Sequence, residues 1–213
     1  GLITKAVATS GFGLFAAVGK YMLTIAGGLS IHFFIVLPLL FYLFTGVNPR
    51  KHLSAMASAL ATAFSTSSSN ATLPVTMRCV EKNAGVSNKV SSFVLPMGAT
   101  INMDGTALYE CAGVLFISQV LGFDLTFSNQ LTIVITALLA SIGAAGIPSA
   151  GLVMIFIVTQ AVGFQDADVA IIIGTMLAVD RPLDMMRTMV NIFSDSIGAS
   201  IIANSEGESL YEN

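Results

Sequence analysis

The sequence predicts an all-α integral membrane fold, and three observations carry that prediction. Hydrophobic residues make up 54% of the chain and charged residues 10%, against roughly 45–50% and 25% in soluble domains. Mean hydropathy is +0.83. Within this apolar background Asp180, Arg181, Asp184, Arg187, Thr188, Asn191 and Asp195 interrupt a single stretch, between AIIIGTMLAV from Ala170 and IGASIIA from Ile197. The steps from 180 to 184, 187, 191 and 195 are 4, 3, 4 and 4, so on a helix these side chains share one face within roughly 60–80°. One Asp or Arg at a bilayer centre costs about 2.5–3.5 kcal/mol, so a row of them stands only where it faces a protein interior or a watery site.

The elements follow in chain order. Tyr21 to Val47 is apolar apart from small or weakly polar residues and His32, and it exceeds the roughly 20 residues needed to span. It stops at Asn48-Pro49-Arg50-Lys51-His52, a turn with two fixed positive charges, which places that loop on the cytoplasmic side. Leu53 to Phe64 is Ala-rich and too short to cross. It runs into Ser65-Thr66-Ser67-Ser68-Ser69-Asn70-Ala71-Thr72 before Leu73-Pro74, which reads as a re-entrant hairpin with a polar tip. Arg78 to Lys89 is a mixed-charge loop. Ser92 to Gly122 is apolar again but broken at Asn102-Met103-Asp104-Gly105-Thr106, the mark of an unwound helix whose freed carbonyls bind a cation. Leu131 to Val162 carries a second small-residue interruption, Ser141 to Gly151, with arms too short to span alone. This is a second re-entrant hairpin. The duplicated order of hairpin and interrupted helix points to a secondary transporter.

The polar groups narrow the chemistry. Asp184 and Arg187 lie three apart on one helix face and offer an acceptor for an ammonium and a two-pronged donor for a carboxylate. The alternative at this point is an internal ion pair that only neutralises the helix. A net charge of −3 with no basic run excludes a nucleic-acid partner. Cys79 and Cys111 are flanked by apolar residues and read as packing residues rather than a disulfide or metal pair. There is no HExxH, no GxSxG and no Ser/His/Asp set, and the two histidines, His32 and His52, have no evident partners. An enzyme is therefore not expected, nor an organic cofactor. A gated ion channel predicts a continuous polar stripe without paired amine and carboxylate acceptors, so Asp184 with Arg187 counts against it. The start at Gly1, without Met, suggests a fragment of a longer chain.

Four segments, in order, resemble the glutamate transporter family of sodium- or proton-coupled dicarboxylate and amino acid symporters. They are Ser67 through Pro74, Asn102-Met103-Asp104-Gly105-Thr106, Gly146-Ile147-Pro148, and the helix from Asp184 to Asp195. The likeness covers about residues 15 to 204. It implies a transport domain over 20–204, made of a helix (20–47), hairpin 1 (52–76), a broken helix (91–122), hairpin 2 (129–162) and a last helix (168–203). Residues 1–19 would be a connector or the end of a scaffold helix, and 205–213 a polar tail. A homotrimer through a scaffold part absent from this chain is implied as well.

The resemblance also implies the site. Asp184 would hold the substrate amine and Arg187 its side-chain carboxylate, with Thr106, Thr188 and Asn191 as polar contacts. Ser69 and the hairpin-2 backbone at Ile147 and Gly151 would close around the substrate. Gly98, Asn102, Asn191 and Asp195 resemble one sodium site. Thr100, Met103, Ser141, Ile142 and Ala144 resemble a second, and Asp104 part of a third that is incomplete in this chain. Hard oxygen ligands of these kinds suit such cations. Arg187 favours aspartate or glutamate over neutral amino acids, and the intact NMDGT segment argues against dicarboxylates lacking an amine.

This chain departs from the family pattern in several places. A second arginine of the relatives corresponds here to Ser67 or Met185, both uncharged. Arg181, one turn before Asp184, is its candidate substitute. Asn70 replaces a small residue, and Pro182 predicts a kink in the last helix. Glu110, one turn beyond Thr106, is placed to carry a proton. The expected function is a sodium-coupled symporter of aspartate or glutamate, gated by hairpin 2, in a multi-pass protein of the cell membrane. Proton-coupled uptake of glutamate or a dicarboxylate is the runner-up. The short stretch after the last helix points to a bacterial inner membrane.

Overall fold

Apolar runs broken by serine, asparagine and glycine fold into helices whose ends those small polar residues cap. The structure is a computed structural model describing residues 2–211 except 145 and 147, with side chains from residue 17 onward, Asp166 excepted. Among the described residues every regular element is helical. Helix α1, Leu2–Ile31, passes through a π-helical turn, His32–Val36, into α2, Leu37–Thr45. It therefore begins upstream of the expected 20–47. Ala17–Thr45, with mean hydropathy 2.1, is the one described stretch long and apolar enough to cross a bilayer. Phe34, Ile35, Leu39, Leu43 and Phe44 are exposed along it, as lipid contact requires.

Gly46 closes α2 with φ +69°, a left-handed cap that a side chain would strain. Asn48 then accepts the Arg50 N–H at 3.0 Å and Pro49 takes the first helical position, starting α3, Pro49–Ala55. Helices α4, Ala57–Thr66, and α5, Ser69–Ala84, form a first pair. Its turn is Ser67 in the left-handed region, followed by Ser68, whose hydroxyl accepts the Ala71 N–H at 3.2 Å. The serine run is thus a helix stop and a helix start rather than a linker. Helices α6, Asn88–Ile101, and α7, Asp104–Leu121, are separated by Asn102 and Met103 alone. A second pair follows, α8, Phe127–Gly143, and α9, Ala150–Ala161.

Helix α10, Asp166–Ser205, runs 40 residues and remains helical through Pro182, where the sequence predicts a kink. It is the hub, packing on α1, α4, α5, α6, α7 and α9. Phe33 packs on Phe193 with tilted rings whose centroids are 4.7 Å apart, and Tyr21 on Phe116 at the same separation.

Both histidines have partners, which corrects the sequence reading. His32 Nε2 lies 2.6 Å from Asp104 Oδ2. His52 is buried, stacks on Phe41 at 4.8 Å, and bonds Tyr211 through Nδ1 and Ser196 Oγ through Nε2 at 2.9 Å. Each partner sits on a distant element, so no local pattern could announce it. The chain's last described residues fasten the same end of the molecule. The Tyr211 N–H donates to the Ala84 carbonyl at 3.0 Å, and Glu208 accepts the Ser87 N–H at 2.8 Å.

Two outcomes follow for this end of the fold. Glu208→Ala leaves the Ser87 amide and hydroxyl without their acceptor and is expected to lower stability by about 1–3 kcal/mol, read by thermal unfolding in detergent. Glu81 accepts the Ser91 hydroxyl and the Asn88 amide, and these bonds, Ser91's first, hold its carboxyl below the ordinary 4.5. Its folded pKa is thus depressed, so its contribution is present above pH 4.5 and lost as pH falls through the folded value. Thermal scans of wild type and Glu81→Gln between neutral and acidic pH are expected to converge at the acidic end.

Candidate functional site

Arg187 on α10 is buried and inserts between α7 and the α9 end of the second pair. A guanidinium cannot be left unsatisfied there without a cost of several kcal/mol, and its neighbours account for most of its surface. Its Nε and Nη2 donate to Asp184 Oδ1 at 2.9 and 2.7 Å. The Tyr109 ring lies under it, 4.3 Å from the guanidinium carbon to the centroid. Asp180 Oδ1, which accepts the Tyr109 hydroxyl at 2.7 Å, stands 3.9 Å from Nη1. That separation is a charge contact and no hydrogen bond. Nη1 itself is buried with no hydrogen-bond partner.

That face of Arg187 borders a tight cavity of about 10 Å³, lined by Ser67, Ser69, Met103, Thr106, Gly146, Gly151, Asp184, Thr188 and Asn191, among others, with room for about one water. Ser69, Thr106, Gly151, Asp184, Arg187, Thr188 and Asn191 were all expected at one site, and the fold brings them together. Ile147 lies outside the described residues. Gly151 is where the backbone comes closest: a Cβ there would sit 2.8 Å from Arg187 Nη1. Asn191 braces the other wall, donating to Thr106 Oγ1 at 3.0 Å and accepting the Gly105 N–H at 2.8 Å. The tips of the two helical pairs meet over the cavity, since Ser68 Oγ donates to the Gly146 carbonyl at 2.6 Å and the Asn70 N–H reaches it at 3.4 Å.

One turn further along α10, Asp195 is buried and forms no ion pair with a basic side chain among the described residues. It accepts one bond from Asn102 Nδ2 at 2.9 Å, and Asn102 also donates to Ser194 Oγ at 3.0 Å. Gly98 faces the carboxylate so closely that a Cβ would lie 2.6 Å from Oδ1. A buried carboxylate, an amide and the Gly98 carbonyl, which accepts the Asn102 N–H at 2.9 Å and keeps a second lone pair, are oxygen groups of the kind that suit a sodium ion. The Asn102 amide would have to turn its oxygen inward to serve as a ligand. Of the second set, Met103, Ser141 and Ala144 are buried, whereas Thr100 and Ile142 are exposed and the Thr100 hydroxyl donates to the Met97 carbonyl at 3.0 Å. Asp104 accepts the Gly105 N–H at 2.9 Å and faces His32.

Residues 1–205 match the sodium:dicarboxylate symporter family. The chain belongs to that family. It is 53% identical over 185 residues to Excitatory amino acid transporter 1 of Rattus norvegicus, a match covering 87% of this chain and 33% of that protein. Against Excitatory amino acid transporter 3 of Mus musculus it is 50% identical over 198 residues, 93% of this chain and 37% of the relative. Against the Excitatory amino acid transporter of Caenorhabditis elegans it is 50% identical over 185 residues. The chain thus spans about a third of the length of the curated relatives it matches. Its family consists of symporters, which are membrane transporters and not enzymes.

Two residues of the cluster were not singled out from the sequence: Tyr109 and Ser149. Tyr109 had a signal, because it follows Thr106 by three and so shares its helix face. Asp180 was read on the shared polar face of the row but was given no role at the site. Ser149 had none, since only the approach of the second tip to α10 gives it partners. Ser67 lines the cavity, Met185 is half-buried, and the largely exposed Arg181 brings Nη1 to 3.8 Å from Asp184 Oδ2.

Close packing makes Gly98 a sharp probe of the packing around Asp195. Gly98→Ala is expected to cost about 1–3 kcal/mol through overpacking, whereas Gly27→Ala, with nothing within 4 Å of the added atom, is expected to be neutral or to gain up to about 1 kcal/mol in its helix. Thermal unfolding of the two variants beside wild type checks both signs.

Proposed function

We propose that this chain forms the substrate-carrying part of a symporter that moves aspartate or glutamate with sodium ions across a cell membrane. The observation that carries the reading is Arg187 Nη1, a buried donor without a hydrogen-bond partner at a cavity that also holds the Asp184 carboxylate. Arg187 receives the side-chain carboxylate of the substrate, for which its planar fork is suited. Asp184 takes the ammonium, while Thr188, Asn191 and Thr106 bond the remaining polar atoms. Ser69 and the backbone around Gly151 close the cavity from the two tips. The names of the relatives, excitatory amino acid transporters, support the substrate class.

In this reading α4–α5 and α8–α9 are the two re-entrant hairpins, and α6–α7 is one membrane helix broken at Asn102-Met103. Their shortness, with arms of 10 to 17 residues in α4, α5, α8 and α9, supports hairpins that enter and leave on one side. The unit covers residues 20–204, with α8–α9 as the gate. Sodium binds at Asp195 with Asn102, Asn191 and Gly98, at the second set beneath the α8 end, and in part at Asp104. A cation under the α8–α9 tip and a substrate beside it each raise the other's affinity, because both favour the closed tip. A homotrimer built through a scaffold outside this chain completes the proposed assembly. The relatives named above are animal proteins, and they lend the expected bacterial inner membrane no support.

One observation favours a second reading, proton coupling. Glu110 is wholly buried, and neither of its carboxylate oxygens has a hydrogen-bond partner. Such a group is costly when charged, which suits a site that gains and loses a proton during a transport cycle.

The test is uptake of labelled aspartate by the complete protein in liposomes under a sodium gradient or a proton gradient alone. Sodium-driven uptake in wild type, reduced at least 100-fold in Arg187→Cys by loss of a charge-assisted bidentate contact, is the expected outcome. Uptake driven by protons alone, abolished in Glu110→Gln, would transfer the protein to the second reading. No aspartate flux under either gradient would refute the assignment of Asp184 and Arg187.

A further inference from the structure

Ser149 precedes α9 with φ +60°, a backbone conformation that L side chains seldom adopt. In that conformation it makes two bonds to α10. Its N–H donates to Asp184 Oδ2 at 2.9 Å and its hydroxyl to Asp180 Oδ2 at 3.0 Å. The other oxygen of each carboxylate is already engaged, Asp184 Oδ1 by Arg187 and Asp180 Oδ1 by Tyr109. Each aspartate therefore gives one oxygen to the α7–α10 core and the other to the tip of the second helical pair.

This division has a consequence for binding. The function proposed above assigns Asp184 to the substrate ammonium, and the inference rests on that reading. Asp184 Oδ1 holds the guanidinium, so an ammonium needs Oδ2, where the Ser149 amide now sits. We propose that Ser149 is a positioning residue that sets substrate affinity by competition, its amide and hydroxyl latching the tip onto Asp184 and Asp180. An ammonium gains Asp184 Oδ2 only as that latch opens, and the tip then closes over the bound substrate without those two bonds. The apparent dissociation constant is then the intrinsic one divided by the fraction of molecules with the latch open. Weakening the latch raises affinity.

The sign of the effect separates a competitor from a substrate contact. Removing a group that touches substrate weakens binding, and removing one that competes with substrate tightens it. The hydroxyl bond ends on a charged acceptor, so its loss is expected to shift the latch on the order of tenfold. Ser149→Ala deletes the hydroxyl and keeps the strained φ, while Ser149→Gly deletes the hydroxyl and relieves the strain. Both keep the amide.

The experiment is calorimetric titration of the complete protein in detergent with aspartate at saturating sodium, for wild type, Ser149→Ala, Ser149→Gly and Thr188→Ala. Thermal unfolding without aspartate, run in parallel, identifies any variant whose affinity change comes from lost fold. Tighter binding in both Ser149 variants, by several-fold to tenfold, with weaker binding in Thr188→Ala, is the expected result. Unchanged or weaker binding in folded Ser149 variants overturns the competition while leaving the function standing. Tightening in Ser149→Gly alone, although glycine relieves strain in the latched backbone, assigns the effect to chain freedom at the tip and overturns the latch. Absence of aspartate binding to wild type sinks the role of Asp184, and the latch with it.

Discussion

One buried cation organises this molecule. Arg187 cannot leave water without partners, because the effective cost of burying an ion is several kcal/mol. Its partners come from two elements: Asp184 and Asp180 on its own helix, and the Tyr109 ring on α7. The buried guanidinium engages one oxygen of each carboxylate, and the tip before α9 supplies the Ser149 amide and hydroxyl to the other oxygens. The tip of the second helical pair is thus tied to α10 by polar bonds, beside an apolar contact of α9 with the core. A cluster so arranged both fixes α7 on α10 and leaves one donor, Nη1, facing a cavity.

Around that cluster the backbone approaches side chains more closely than any Cβ would permit. Gly105 meets the Asn191 side-chain oxygen, Gly151 the guanidinium and Gly98 the Asp195 carboxylate, each within 3 Å of where a Cβ would stand. These are contacts of main chain with functional side chains, and they place carbonyls and amides where a small zwitterion or a cation needs them. The same economy joins the two tips, where Gly146 accepts bonds from both Ser68 and Asn70. The opposite end is built differently. There His52, Tyr211, Glu208 and Ser87 tie the last residues to the base of the first pair, among the stacked rings of Phe41 and Phe193.

Fold class and much of the candidate site were legible because the membrane makes polarity informative. Where every charge is costly, an Asp, an Arg or an Asn in an apolar run announces a role, and the spacing of Asp184, Arg187, Asn191 and Asp195 placed them on one face before any coordinates. The serine run and the Asn102-Met103 break were legible for a related reason, since helix ends need side-chain caps or freed backbone. The histidines were misread. Their partners, Asp104, Ser196 and Tyr211, stand far off in the chain, and a side chain beside apolar neighbours in sequence carries no trace of a distant polar contact.

The amino-acid sequence by itself determined the helical class, the positions of the interruptions and the shared face of the α10 polar row. These depend on local rules: a period of about 3.6 residues, caps at helix ends, and the high cost of charge in an apolar medium. Only the tertiary structure decided which atoms those side chains spend on one another. It alone placed Tyr109 under Arg187, Ser149 on Asp180 and Asp184, and His52 between Tyr211 and Ser196. The reason is geometric, because hydrogen bonds and ion contacts are settled within a few tenths of an ångström by how helices pack, and no single helix contains that information.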